Sequence, residues 1–150
     1  MNKVILKSEM LAESKLEFKI NCEIIKKCVE KESYIVDLGT SSRKAYIRDC
    51  RFAYYKICKE LSTDYFSLQI VADVVNRICH STVINGLKEF DYQYGKELFF
   101  ANEIYKESLL RAIKGIQIDN KKLLIKIKRI QRNEDFLISQ IKVDYELISA

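Results

Sequence analysis

The sequence predicts an all-α protein with a long helical extension at its C-terminal end. Proline is absent from the 150 residues, and glycine occurs at four positions. Because these two residue types terminate helices and build the turns of β-sheets, their scarcity favours long helices. Apolar side chains also recur every three or four residues through most of the chain, which is the period of an amphipathic helix. A hydrophobic content of 48% is enough to form one core.

The first part of the chain carries two periodic segments separated by a polar stretch. Residues 8–32 place apolar side chains on one broad face and Lys and Glu elsewhere, which predicts one helix or two. The pattern breaks in "SYIVDLGTSSRK", residues 33–44, where a glycine and a run of hydroxyl side chains indicate a loop or the start of a helix. Periodicity resumes in "RFAYYKICKEL", residues 51–61, and predicts a buried helix that ends near Ser62.

Residues 62–92 predict a turn, a short helix, a second turn and a second helix. "STDY" is the first turn, and Ser67 is a suitable N-cap for the short helix "LQIVADVV". A tight turn over residues 76–79 leads into "HSTVINGLKEF". This succession is a helix-turn-helix, at about residues 67–92. Three apolar residues of the second helix recur at helical spacing and are expected to face the core: Val83, Leu87 and Phe90.

The C-terminal part differs in character, which divides the chain into a domain over residues 1–94 and a helical extension over residues 95–150. A heptad pattern covers residues 113–148. Residues 111–132 contain eight Lys and Arg against one Asp, a balance of +7, whereas residues 133–150 contain one Lys against four acids, a balance of −3. Two interpretations remain open: a coiled coil that makes a homodimer through residues 113–148, or a helix packed on its own domain.

The five cysteines are odd in number, form no Cys-x-x-Cys pair and lie in helix-like segments: Cys22, Cys28, Cys50, Cys58 and Cys79. We therefore expect small buried side chains in a reducing compartment. Together with a single histidine, they do not provide the ligand spacing of a zinc site. No apolar run resembles a signal peptide or is long enough to cross a bilayer. We expect a cytoplasmic protein of a bacterial or phage-infected bacterial cell, with no membrane partner.

Five short motifs follow one another between Tyr34 and Val83. They are "IVDL", the basic segment "SSRKAYIRDCR", "KELS", the "SL" that opens the helix-turn-helix, and "HSTV". In order and spacing these motifs resemble the C-terminal DNA-binding domain of the bacterial replication initiator DnaA, and the 13-residue step from Ser67 to His80 fits that family without a gap. The resemblance covers roughly residues 34–92. It implies a helix-turn-helix bundle. Because the sequence has no phosphate-binding loop of the initiator's ATPase module, we expect a stand-alone module comparable to the Trp repressor.

The resemblance also implies that residues 80–92 form a recognition helix for the major groove of double-stranded DNA. Such a helix needs small polar side chains at its N-terminus, and His80, Ser81 and Thr82 provide a ring nitrogen, hydroxyls and a methyl group for base edges. In that family the basic segment, residues 43–51 here, contacts the DNA backbone and minor groove. The predicted DNA-binding residues are Arg43, Lys44, Arg48, Arg51, Arg77, His80, Ser81, Thr82, Asn85 and Lys88.

The residues before the histidine depart from that family, which has Gly-Gly-Arg-Asp where this chain has "NRIC", residues 76–79. Cys79 replaces an acid that caps the helix and accepts a base-edge donor, so we do not expect the initiator's own binding sequence to be recognised. Ile70 and Ile78 place apolar groups on a surface expected to be wet. These side chains require cover from the C-terminal helices or from a partner.

The sequence does not indicate catalysis. It contains no Gly-rich phosphate-binding loop, no Gly-x-Ser-x-Gly and no second histidine, so we expect no enzyme activity, no cofactor and no bound nucleotide. Two hypotheses remain. The first is a double-stranded DNA-binding helix-turn-helix protein, accessory to replication or transcription. The second is a helical interaction protein or phage structural protein that keeps the fold without DNA recognition, in which Ile70 and Ile78 dock on a protein partner. Separate alternatives are a partly buried structural role for His80 and a solvated charged face for the basic segment.

Overall fold

The computed structural model describes residues 2–62 and 65–116, with side chains from residue 13 onward. All regular secondary structure in this part of the chain is helical, which confirms the predicted all-α class. The helices described there are α1 (Asn2–Ser33), α2 (Ala45–Glu60), α3 (Leu68–Val74), α4 (His80–Gln93) and α5 (Ala101–Gly115). None of these helices combines the length and the apolarity that crossing a bilayer requires.

Helix α2 is the centre of the bundle, since it packs against α1, α4 and α5. Its side chains Tyr54 and Tyr55 are almost completely buried. The Tyr54 hydroxyl donates a 2.9 Å hydrogen bond to the carbonyl of Val71 in α3. A buried tyrosine needs such a partner for its hydroxyl, and this bond attaches the short α3 to the core.

Helix α2 begins at Ala45, earlier than the predicted start at residue 51, and residues 35–44 are a loop. Ile47 and Cys50 are buried, so the apolar period of α2 continues toward its N-terminus. Lys44 is the N-cap residue and makes no side-chain capping hydrogen bond. The usual sequence signal for a helix start is therefore missing here, which is why the prediction placed it too late.

The helix-turn-helix has the predicted elements. The Ser67 hydroxyl accepts a 3.2 Å hydrogen bond from the backbone N–H of Ile70, which confirms Ser67 as the N-cap of α3. Asn76 has a φ of 56°, a left-handed conformation that asparagine tolerates better than most residues and that suits a tight turn. Helix α4 then begins at His80 and packs against α3. Its predicted core residues are all buried: Val83, Leu87 and Phe90.

Helices α2 and α4 are in close contact. The middle of α4 meets the middle of α2, because a Cβ added to Gly86 would lie 2.5 Å from a ring carbon of Tyr55 and 2.9 Å from one of Phe52. In the last turn of α4, the Asp91 carboxylate lies 2.9 Å from the Lys56 ammonium of α2. Helix α4 is therefore held against the central helix both at its middle and in its last turn.

Helix α5 belongs to the predicted extension and packs against α1 and α2. Its Arg111 guanidinium lies 2.5 Å from the carboxylate of Glu32 near the end of α1. An aromatic cluster connects the end of α4 with α5: Phe90, Tyr94, Phe99 and Tyr105. The heptads beyond Ile116, and with them the predicted homodimer through residues 113–148, lie outside the described residues.

The cysteines behave as predicted with one exception. Four are buried: Cys22, Cys28, Cys50 and Cys58. Cys79 is exposed, so the prediction of burial is wrong for this residue. The reason is its position, because Cys79 lies in the turn before α4 and is the N-cap residue of that helix rather than part of a packed face.

The contact between α2 and α4 at Gly86 can be tested by Gly86→Ala. Alanine normally stabilises a helix more than glycine does. At this position, however, the added methyl group would meet two aromatic rings of the core, and overpacking costs about 1–3 kcal/mol of folding stability. We expect a lower urea midpoint of unfolding. Gly115→Ala is the matched control, because its Cβ would lie 3.3 Å from one methyl group of Ile24, and it should cost less. Equal midpoints for the two variants would contradict the close packing.

Candidate nucleic-acid interface

Two irregular segments precede α2 and α4 and are joined to each other. We call residues 38–44 the α2 loop and residues 75–79 the α4 turn. The Arg77 guanidinium donates a 2.7 Å hydrogen bond to the carbonyl of Thr40, and the Asn76 side-chain amide donates a longer one, 3.4 Å, to the carbonyl of Gly39. A side chain at position 39 would collide with Asn76, since an added Cβ would lie 2.5 Å from its amide nitrogen. The two segments therefore form one end of the bundle.

Arg51 was predicted to contact DNA, and the structure corrects this role. Its side chain is 6% exposed and its guanidinium donates to three backbone carbonyls of the α2 loop. The bonds are 2.7 Å from Nε to Leu38, 3.1 Å from Nη1 to Ser42 and 2.5 Å from Nη2 to Thr40. Burial, and next the charge of Arg77, lower the pKa of Arg51 from its ordinary value. Arg51 holds the loop from within, in a position where a phosphate does not reach it.

The other three basic residues of the predicted segment are exposed. Arg43 and Lys44 end the α2 loop, and Arg48 lies in the second turn of α2. The Arg48 guanidinium is 3.6 Å from the Asp49 carboxylate and 5.8 Å from the centre of the Phe52 ring. Its side chain remains 57% exposed, so the pairing with Asp49 is a surface contact that contributes little. All three cations are open to a ligand from the solvent side.

The polar residues predicted at the start of α4 are on the surface. His80, Ser81 and Thr82 are exposed, and so are Asn85 and Lys88 farther along the helix. The exposure of His80 contradicts its alternative interpretation as a partly buried structural histidine. Arg77 is half-buried, in keeping with its hydrogen bond to the α2 loop. Helix α4 thus has one apolar face that is buried and one polar face that is exposed, and the polar face includes the residues at its N-terminus.

Cys79 and Ser81 interact with each other at the tip of α4. The Cys79 thiol sulfur lies 2.8 Å from the Ser81 hydroxyl oxygen, and Cys79 makes no side-chain capping bond to the helix. The hydroxyl of Ser81, and next its backbone N–H, lower the pKa of the Cys79 thiol. The N-cap position of α4 therefore lacks the side-chain oxygen that normally accepts hydrogen bonds from the first N–H groups of a helix.

This end of the bundle has the chemistry of a site for a polyanion. The segments that lead into α2 and α4 meet there, and neither helix has an acidic residue in its first turn. Helix N-termini carry partial positive charge and free N–H donors that suit phosphate groups. The exposed cations of the α2 loop and α2 add full charges at the same end. The hydroxyl and imidazole groups at the start of α4 can form hydrogen bonds to base edges.

The predicted apolar residues of the helix-turn-helix have different environments. Ile78 is 95% exposed in the α4 turn, without cover from the described helices. Ile70 is half-buried and lines a shallow cleft between α1 and α3. Within the described residues, no group of three or more His, Cys, Asp or Glu side chains is arranged to hold a metal ion.

Sequence reasoning missed the backbone of the α2 loop as the structural centre of this site. The carbonyl of Thr40 accepts hydrogen bonds from both Arg51 and Arg77. Every residue offers such a carbonyl, so no side-chain pattern marks the one that is used. The detectable signals were Gly39 and Asn76, two residue types that permit tight turns and close backbone approach.

Comparison with protein-family models, curated proteins and solved structures returns no match for this chain. The resemblance to the DnaA C-terminal domain stays a prediction from sequence motifs.

The thiol environments lead to a prediction about cysteine reactivity. In the native protein we expect a colorimetric disulfide reagent at neutral pH to modify only the thiol of Cys79 rapidly. After unfolding, the same reagent should modify all five cysteine thiols. The Cys79 sulfur is exposed with a lowered pKa, whereas burial raises the pKa of Cys50 to about 12. The variant Cys79→Ser should leave no rapidly reacting thiol. A second fast thiol in the native protein would contradict the burial of the other four.

Proposed function

We propose that this chain is a double-stranded DNA-binding helix-turn-helix protein, accessory to replication or transcription. Helix α4 lies in the major groove, and the α2 loop with the first turns of α2 contacts the sugar-phosphate backbone or minor groove. The observation that carries the proposal is the pair of hydrogen bonds from Asn76 and Arg77 to the α2 loop, which brings the exposed cations of that loop beside the turn that leads into the exposed polar residues of α4.

The dimensions of the site suit a duplex. Helix α4 has 14 residues, and at 1.5 Å per residue it is roughly 21 Å long. The major groove accommodates one α-helix, and a helix that enters by its N-terminus directs its first side chains at base edges. Those side chains are uncharged hydroxyls and an imidazole in Ser81, Thr82 and His80, while the charged side chains flank them. This division suits a ligand whose charge lies on its backbone and whose sequence information lies in a groove.

The motif order from Tyr34 to Val83 supports the same proposal through its resemblance to the DnaA DNA-binding domain. The correction at Arg51 removes one contact from the set that the resemblance implied. Cys79, which stands in place of an acid and interacts with Ser81, leads us to propose a different preferred sequence from that of the initiator.

A protein-interaction role is the second candidate, and the exposed apolar side chains favour it. Ile78 is 95% exposed beside the start of α4, and Val36 is 97% exposed before the α2 loop. A residue directly before an N-cap often packs against the fourth helical residue, which is Val83 here, but Val83 is buried in the core while Ile78 is not. In this second role Ile78 docks on a protein partner and the polar face of α4 does not contact DNA.

Fluorescence anisotropy with a labelled random-sequence duplex separates the two candidates. Four exposed cations are available to phosphates: Arg43, Lys44, Arg48 and Lys88. If each neutralises one phosphate, the slope of log affinity against log salt is about −3.6, so affinity falls about 100-fold from about 50 to 200 mM salt. Absence of binding at low salt would contradict the DNA proposal and leave the protein-interaction candidate.

Two substitutions distinguish backbone contacts from base contacts. Arg48→Ala should weaken binding on all sequences and reduce the slope by about one unit. Thr82→Ala should keep the slope but broaden the sequence preference obtained by selection from a random duplex library. The control is Lys59→Ala, which removes an exposed cation at the opposite end of α2 and should change neither quantity. Equal effects of Arg48→Ala and Lys59→Ala would contradict the proposed interface.

A further inference from the structure

Arg77 lies in the α4 turn and connects it to the α2 loop. Its Nη2 donates the 2.7 Å hydrogen bond to the Thr40 carbonyl. Burial raises the pKa of the Tyr55 hydroxyl in α2, and the nearby charge of Arg77 opposes that rise. The guanidinium therefore joins the turn before α4 to the loop before α2, close to the buried face of α2.

The α2 loop depends on such polar connections for its position. After Leu38, which is buried, its residues are Gly39, Thr40, Ser41 and Ser42, none of which places a large apolar side chain in the core. Arg51 holds the carbonyls of this loop from α2, and Arg77 holds the Thr40 carbonyl from the α4 turn. The second bond between loop and turn in the described part of the chain, from Asn76, is 3.4 Å long and weaker.

Arg43 and Lys44 follow directly after the part of the loop that Arg77 holds. Both are exposed, and the long flexible side chains of arginine and lysine lose entropy when a ligand orders them. A loop fixed relative to α4 presents these cations at one distance from the helix that enters the groove. A loop released from α4 no longer presents Arg43 and Lys44 at that distance, and the entropy needed to order them again opposes their phosphate contacts in the complex.

We infer that Arg77 is a positioning residue that couples the cationic α2 loop to the recognition helix, so that both bind DNA as one unit. The inference rests on the proposed DNA-binding function. It assigns Arg77 an indirect role, in contrast to the direct contact that the sequence predicted. Arg77 is half-buried and its guanidinium is engaged by the Thr40 carbonyl, which is the environment of a structural arginine rather than of a free phosphate ligand.

The salt slope of DNA binding distinguishes the two roles. Loss of one direct phosphate contact lowers the slope by about one unit. If Arg77 positions the loop, Arg77→Ala also removes the ordered contacts of Arg43 and Lys44, and the slope should fall by about two units. The probe is the labelled random-sequence duplex, and circular dichroism with a thermal melt verifies that each variant is folded.

A double-mutant cycle gives the sharper test. The pair Arg43→Ala with Lys44→Ala should lower the slope by about two units in the parent chain and by close to zero in the Arg77→Ala background. Lys88→Ala is the matched control, because Lys88 lies on α4 and away from the loop, and its effect of about one unit should be the same in both backgrounds. Equal effects of the loop pair in both backgrounds would overturn the inference.

The variant Arg77→Lys tests whether the charge of Arg77 or the geometry of its guanidinium positions the loop. It also replaces Arg77→Ala in the cycle if the alanine variant does not fold. Lysine keeps the positive charge but lacks the planar guanidinium whose Nη2 reaches the Thr40 carbonyl. We expect the loop pair to lose most of its effect on the slope in this background too, whereas full retention would overturn the positioning role. If the parent chain shows no salt-dependent binding, the proposed function itself is contradicted. If the parent chain binds but the loop pair and Arg77→Ala change the slope independently of each other, only the positioning role of Arg77 is contradicted.

Discussion

The close packing of α2 and α4 at Gly86 is the constraint on which the rest of the structure depends. With no side chain at this position, the α4 backbone approaches the Tyr55 and Phe52 rings. Helix α4 is thereby held against the central helix, and the turn that precedes α4 is joined to the α2 loop by the hydrogen bonds of Asn76 and Arg77.

The basic residues near this end divide into two groups with different physical roles. Arg51 and Arg77 direct their guanidiniums at backbone carbonyls of the α2 loop, and the Thr40 carbonyl accepts from both. Arg43, Lys44 and Arg48 stay exposed. Guanidinium groups suit the first task because their donors are planar and remain charged in a partly buried site. Some cations of this segment are thus occupied by hydrogen bonds within the protein, and others are exposed. A simple count of Lys and Arg therefore overstates the number of cations that can contact a polyanion.

The sequence predicted most of the fold because periodicity and capping report local structure. Ser67 marked the start of α3, and the spacing of Val83, Leu87 and Phe90 identified the buried face of α4. The start of α2 was missed because Lys44 provides no capping side chain. Arg51 could not be distinguished from Arg48 by composition, since both are arginines of one basic segment. Their difference arises from the folded loop, whose carbonyls surround one guanidinium and not the other.

The two faces of α4 have a consequence for how this protein can change. The residues that pack inward are Val83, Gly86, Leu87 and Phe90, and the exposed residues of the outward face include Ser81, Thr82, Asn85 and Lys88. Because the two sets do not overlap, substitutions on the outward face leave the contacts with α2 and α3 intact. Surface substitutions of this kind usually alter stability by no more than about 0.5 kcal/mol. Helix α4 can therefore acquire a new set of ligand contacts while the bundle that carries it stays the same.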